Sequence, residues 1–308
     1  RKIWNLPVNT KILNLRTENG GFKILEQGGG HQTKSLRLAD TSGLEWALRT
    51  NRKSPEMALP VELRETVARE VLQDQISAAM PYAPLVISTM ATALKIPHAK
   101  PQIVFIPVDP FLGQYRKDFA NTLCLIEQRE PIMPGKTLTT PKMVKALKKD
   151  NDNSVDQKAV LRARLFDLVI GDWDRHEDQW RWAYVEKGKG KQFYPIPRDR
   201  DQAFFVNQGV LPKMVSAPWL LPMFQGFGPE IKDVNGFMMG AKFFDRDFLN
   251  ELEEKDWKEI SEKVKASLTD SVIDAAMKQF PPEIPEKTVN NIATAIKARR
   301  DILVENAL

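Results

Sequence analysis

Two short runs of this sequence carry side chains that could do chemistry together. The first is GDWDRHEDQ, residues 171–179. The second is RDRDQAFF, residues 198–205. Asp174 follows a turn at Gly171, just past an apolar helical stretch, so its position would be fixed while its carboxylate faces a cleft. A carboxylate held in that way can accept the proton of an attacking hydroxyl. Arg175 and His176 could orient it, contact a phosphate or hold the loop. Asp199 and Asp201 stand two residues apart and would share a face of an extended strand. Both could then reach one hard cation such as magnesium or manganese, and a magnesium ion that bridges nucleotide phosphates needs only one or two protein carboxylates. Gln179, five residues after Asp174, offers an amide oxygen as a further ligand.

The elements that must position these groups are legible on both sides. Residues 155–170 read as a core helix with the apolar stripe Val160, Leu161, Leu165, Leu168 and Val169, and Ser154 is its expected cap. A hairpin with a short polar turn joins the two acid runs. Thr140-Pro141 opens a short helix over 141–149. Further helices are expected near 246–266, 270–279 and 286–304, with Asp245 and Thr269 as caps. The segment between them and the second acid run, rich in Pro, Gly and Met, is apolar enough to pack on the core or border the site.

Upstream, residues 1–52 read as β-rich, with strands near 22–26, 34–39 and 44–50. Gly28, Gly29 and Gly30 lie between the first two. They suit a turn that needs positive φ, or a cover whose backbone N–H groups approach a phosphate closely. They do not form a nucleotide loop of the Gly-Lys-Ser/Thr kind, because neither that sequence nor a helix follows. Lys34, just beyond, could reach a phosphate. The third strand ends in Arg49, Arg52 and Lys53. A helix over 60–80 carries Glu70 and Asp74 at the border of its apolar stripe, where an inward acid would need a cationic partner such as Arg49 or Lys53. Pro81 to Pro97 contains a second helical run, APLVISTMATALKI, and strands follow over 101–107 and 121–130, the latter ending in Glu127 to Glu130. Pro131, Pro134 and Gly135 mark the expected domain boundary, with domains at 1–131 and 132–308.

Composition narrows the function classes. The 308 residues, 42% hydrophobic and 28% charged, suit a globular protein with a sizeable core. No apolar run approaches the length of about 18 residues that a membrane-spanning helix needs. The start, RKIWNLPV, has neither Met nor the apolar core of a signal peptide, as expected of a mature chain or a piece of a longer one. The net charge of +5 comes from interspersed lysines and arginines. Only Lys142 to Lys149 resembles a basic stripe, so nucleic acid is not an expected partner. The single cysteine, Cys124, lies in an apolar strand and reads as a core residue, which excludes an internal disulfide.

In order and spacing these features resemble the protein-kinase-like fold in its atypical branches. GDWDRHEDQ is similar to the N-x-D-x-H-x-x-N loop of HipA-like kinases, to the M-D-R-H-x-x-E loop of the secretory-pathway casein kinase family, and to the catalytic loop of CotH-like kinases. RDRDQAFF resembles the D-N-G-x-x-F run of type II phosphatidylinositol 4-kinases and the D-x-D-x-x-F run of CotH. The resemblance covers most of residues 20–210 and implies a two-lobed α+β fold, with a β-rich N-lobe and a mainly helical C-lobe. It implies ATP and Mg2+ as cofactors and a protein or small molecule as phosphate acceptor. It makes Asp174 the base, Asp199 the metal ligand with Asp201 a close second, and Gln179 a secondary ligand. Arg49 or Lys53 would hold the α/β-phosphates, paired with Glu70 or Asp74, and Glu127 would open the adenine-facing hinge. The chain is also similar to a kinase-like segment of long bacterial envelope proteins, which would place it in the cell envelope.

Three departures from the pattern bear on activity. There is no HRD-L or DFG sequence, position 179 is Gln rather than Asn, and position 49 is Arg rather than Lys. Arg binds phosphate in a different geometry from Lys, which fits a non-catalytic ATP-binding module as well as an enzyme. A metal-dependent phosphoesterase would also use clustered Asp and His, but the three histidines, His31, His98 and His176, lie far apart.

Overall fold

A computed structural model of the chain describes residues 3–29, 33–51, 78–130, 137–206 and 222–308. The described residues form two compact units. The first is drawn from Arg1–Pro81, Ala99–Pro131 and Pro281–Glu283, and the second from Tyr82–His98, Ile132–Phe280 and Ile284–Leu308. The class is α+β, with a β-rich first unit and a mainly helical second one, as expected from the sequence. Gly30, Lys53, Glu70 and Asp74, and with them the helix expected over 60–80, lie outside the described residues, as does the proline-glycine segment at 131–136.

The described residues of the first unit build one sheet from β1 (Lys11–Ile12), β2 (Lys23–Gly28), β3 (Ser35–Ala39), β4 (Glu45–Thr50), β5 (Gln102–Ile106) and β6 (Thr122–Gln128), in the order β1-β5-β6-β4-β3-β2. Neighbours are antiparallel except β1, which runs parallel to β5. The strands alternate, so one face is apolar and buried. Leu36 faces Leu48 across β3–β4 and Val104 faces Cys124 across β5–β6, all of them 0–1% exposed. Cys124 is thus the core residue its context suggested, and burial pushes its thiol up to about 12, out of reach of nucleophilic work at neutral pH.

The second unit is organised around a helix that is buried on all sides near its end. The helices used below are α1 (Ala83–Ala93), α2 (Thr140–Lys149), α3 (Gln157–Ile170), α4 (Lys242–Phe248), α5 (Glu254–Ser267), α6 (Asp270–Met277) and α7 (Glu286–Asp301). Every residue of α3 from Ala163 to Ile170 is buried, and α5, α7 and a second sheet pack around it. That sheet has the order β7-β9-β10-β8, from Leu138–Thr139 (β7), Ser154–Val155 (β8), Trp180–Lys187 (β9) and Gly190–Pro197 (β10). β9 and β10 are the expected hairpin, in register from Trp180 opposite Pro197 to Lys187 opposite Gly190. α1 belongs to this unit by its contacts, packing on α6.

Three expectations about caps and limits need correction. Ser154 does not cap α3. It pairs with Gln192 in a parallel strand contact, and Asp156 is the cap, accepting from the Ala159 N–H at 2.9 Å. The helix expected near 246–266 is two helices, because the chain breaks after Phe248 and restarts behind a reciprocal capping box of Glu253 and Asp256. Asp245 caps nothing. It sits inside α4 and pairs with Arg164. Thr269 caps α6 as expected. No described helix is long and apolar enough to cross a membrane.

Candidate active site

The site is built outward from the end of α3. Gly171 stops the helix in the left-handed conformation, φ 70°. A Cβ at that position would stand 2.6 Å from Cδ2 of Phe227, so glycine is required by space as well as by φ. Beyond it Asp172 is buried, Asp174 is one-third exposed, Arg175 is enclosed and His176 is exposed. Glu177–Gln179 form one tight turn that leads into β9. Trp180 and Trp182 of β9 pack on α4, Trp180 stacking on Phe244 at 4.4 Å between ring centres and Trp182 lying 5.0 Å from Phe248. The first acid loop therefore runs between two well-packed elements.

The second acid run does not continue β10 as a strand. The ladder ends at Pro197, and the next residues turn, with Asp199 at φ 54° and Phe204 at φ 59°. The premise that Asp199 and Asp201 share a strand face is therefore wrong, because the chain leaves the sheet two residues too early. A left-handed Asp is tolerable, whereas a left-handed Phe is costly and persists only where its surroundings fix it. Phe204 is buried edge-on against Phe227 at 5.2 Å, and its N–H donates to the Ile170 carbonyl at 3.0 Å.

Direct bonds tie the two runs together. The Arg198 N–H donates to the Gln179 carbonyl at 2.8 Å. Arg175 Nη1 donates to the Arg198 carbonyl at 2.6 Å, and its ring neighbour is Trp180, 4.7 Å away. Asp174, Arg175, His176, Gln179, Asp199 and Asp201 are thus brought together in one part of the second unit. Burial raises the Asp174 carboxyl above its ordinary value. His176 and Arg175 oppose that shift, and repulsion from Asp201 and Asp199 adds to it. His176 Nε2 lies 3.8 Å from Asp174 Oδ1. Arg175 is enclosed, at 0% exposure, so of the tasks open to it the geometry suits holding the loop.

Beneath these loops lies a buried ionic cluster that sequence reasoning missed. Asp167, fully enclosed in α3, accepts from Arg164 Nη1 at 3.0 Å and from Arg200 Nε at 2.9 Å, and lies 3.2 Å from Arg175 Nε. Burial pushes the Asp167 carboxyl up, but Arg175, Arg200 and Arg164 together outweigh it and hold the group below the ordinary carboxylate range. Asp172 is the opposite case. Burial drives it well above that range, Arg175 at 3.7 Å offsets this only in part, and Asp167 repels it. One Asp172 oxygen accepts from the Asp174 N–H at 3.2 Å and the other is buried without a hydrogen-bond partner. Arg299 of α7 closes the end of α3, donating to the Leu168 carbonyl at 2.9 Å and the Gly228 carbonyl at 2.6 Å. The available signal was an acid inside an apolar helical run, which must find buried cations.

In the first unit, Gly28 pairs with Ser35 at the end of β2 and Gly29 takes φ 135°. A Cβ on Gly29 would fall 2.3 Å from the Thr33 carbonyl, so the turn needs glycine there. The Lys34 ammonium pairs with Asp118, which also accepts from Gln27 at 3.0 Å. Arg49 Nη2 lies 3.3 Å from Glu127 across the β4–β6 pair.

Among the described residues no group of three or more His, Cys, Asp or Glu is placed to hold a metal ion. A magnesium ion carried largely by phosphates asks for fewer. Asp201 and Asp199 both lie near enough to Asp174 to push its carboxyl up by repulsion.

No protein-family model matches the chain, and no curated protein matches it. Among solved structures it is similar to the Helicobacter pylori proinflammatory kinase CtkA, at 9% identity and TM-score 0.47 over 89% of this chain and 92% of that one. It is also similar to the Rio2 kinase of Chaetomium thermophilum, at 14% identity. In its ADP/Mg2+-phosphoaspartate complex the TM-score is 0.41 over 90% of this chain and 70% of that one. In a further structure of that kinase it is 0.39 over 90% and 74%. At TM-scores of 0.47 and below, such likenesses assign no role to any residue.

Proposed function

We propose that the chain is an ATP- and magnesium-dependent phosphotransferase of the atypical kinase-like type, with Asp174 as base and Asp199 and Asp201 as metal ligands. The observation that carries this reading is the bonding of the two acid loops to each other, Arg198 N–H to Gln179 carbonyl and Arg175 to Arg198 carbonyl. Phosphoryl transfer asks the protein mainly for positioning and for electrostatic support. Asp174 accepts the proton of the acceptor hydroxyl, and a carboxylate with a raised pKa is a better base once ionised. Asp199, Asp201 and Gln179 offer oxygen ligands to a hard cation. When bound, magnesium would neutralise charge on the phosphates. For the first unit the same reading assigns nucleotide contacts to the Gly28–Gly29 turn and to Arg49.

The test is calorimetric titration with ATP, with and without magnesium, followed by transfer of the γ-phosphate. The reading expects magnesium-dependent binding that Asp199→Ala and Asp201→Ala weaken, and transfer that Asp174→Ala abolishes while binding persists. Arg49→Met should weaken nucleotide binding. Binding with no transfer under any acceptor would identify a non-catalytic ATP-binding module. No binding at millimolar ATP would end the reading.

A further inference from the structure

The acid that ties the site together is not one that would touch substrate. Asp167 projects from α3 with both oxygens engaged, Oδ1 by Arg200 and Oδ2 by Arg164 and Arg175. Arg175 is the residue after Asp174, and Arg200 stands between Asp199 and Asp201. Each arginine has a second anchor. Arg175 holds the Arg198 carbonyl, Arg200 lies 4.8 Å over the Phe166 ring, and Arg164 makes two bonds to Asp245 at 2.7 and 3.1 Å. One helix carboxylate is therefore hydrogen-bonded to the second acid loop through Arg200 and ion-paired with the first through Arg175, whose Nε lies 3.2 Å away.

Stability alone does not explain such a cluster. Burying each ion costs several kcal/mol, and well-packed apolar residues often do as well or better. Position is what the cluster supplies and apolar packing does not. A hydrogen bond to Arg200 and a close ion pair with Arg175, both from one buried helix residue, hold the two turns relative to each other. The direction of failure also follows. Arg175 and Arg200 repel each other across the carboxylate that separates them, so loss of its charge would drive the two loops apart.

We infer that Asp167 is a positioning residue: through Arg175 and Arg200 it sets the spacing between the loop that carries Asp174 and the loop that carries Asp199 and Asp201. Its kinetic consequence rests on the phosphotransferase reading; its geometry does not. Two measurements separate the two. The first is hydrogen exchange on the full chain, wild type against Asp167→Asn, with Arg200→Lys as the milder variant should the first fail to fold. Exchange should rise together at residues 172–179 and 198–204. A rise confined to one loop, or none, would overturn the inference whether or not the protein is a kinase.

The second measurement is a double-mutant cycle on kcat with Arg175→Lys and Arg200→Lys. Each alone should lower kcat by roughly 100-fold, the cost of an ångström-scale misplacement. The double variant should lower it by little more, since either change breaks the same link. Losses that multiply would refute the link, as would an equal loss in Ile273→Ala, a remote α6 core variant that lowers the melting temperature to a similar degree. A wild type that neither binds ATP nor transfers phosphate would sink the functional reading alone, and the exchange result would still decide the positioning role.

Discussion

Arg175 Nη1 donates to the Arg198 carbonyl at 2.6 Å, so the residue after Asp174 is bonded to the residue before Asp199. The guanidinium that makes this bond is wholly enclosed and also lies beside Asp167 and Asp172. Removing it strips two buried carboxyls of a cation and leaves a carbonyl without its donor. Arg175→Met should therefore lower the unfolding free energy by about 3–5 kcal/mol, measured by urea denaturation. A loss within the ordinary range of surface substitutions would show that these contacts do not hold the loop.

Asp172 should give the opposite result. Its carboxyl is raised well above the ordinary value in the folded protein, so the folded state keeps a proton that the unfolded state releases. Stability contributed in this way is present at acid pH and is lost as pH rises from the unfolded value toward the folded one. Asp172→Asn keeps an oxygen for the Asp174 N–H and carries no charge. It should raise the melting temperature above that of the wild type at neutral pH, and the gain should fade on acidification. A gain that grows toward acid pH would reverse the assignment.

Titration of Asp174 itself can be followed by carbon-13 NMR in the protein without nucleotide. Burial and two acidic neighbours hold it above 3.8, so Asp201→Asn should bring it down by removing one source of repulsion. The acid limb of any activity profile should then lie above the range of a free aspartate, because the base works only when ionised. An Asp174 that titrates below 3.8 in the wild type would contradict the site geometry.

Two left-handed glycines make a matched pair. Gly171 has φ 70° and Phe227 fills the space of a Cβ, whereas Gly188 has φ 63° in the β9–β10 turn with nothing within 4 Å. Gly188→Ala should cost about 1–2 kcal/mol, the backbone strain alone. Gly171→Ala should cost clearly more, since the ring must also move. Equal losses by thermal unfolding would mean that Phe227 yields freely.

The strands were legible because their chemistry is local. Alternation in 34–39 and 121–130 follows from one buried sheet face, and Leu36, Leu38, Cys124 and Ile126 fill it. The stripe of α3 was legible for the same reason. What escaped was long-range. An Asp that caps a helix and an Asp that neutralises a buried arginine look alike in one dimension, so Asp245 read as a cap although it serves Arg164, 81 residues away. Ser154 and Asp156 could both cap α3, and only the pairing of Ser154 with Gln192 decides between them. Asp199 and Asp201 were read as strand because the apolar alternation of β10 runs right up to them, and the left-handed turn at Asp199 has no residue signature of its own. Asp167 was the one clear signal left unread, a charge where every neighbour in the helix is buried.

Arg299 reaches the Leu168 carbonyl across 131 residues of chain. A ribosome adds about 5–20 residues per second, so an interval of roughly 7–26 s separates the synthesis of the two partners. Throughout that interval α3 has its stop signal at Gly171 but not the cation that closes its last turn. The acid loop next to it is complete as sequence long before it is complete as structure. Its final setting is written by a helix made more than a hundred residues later.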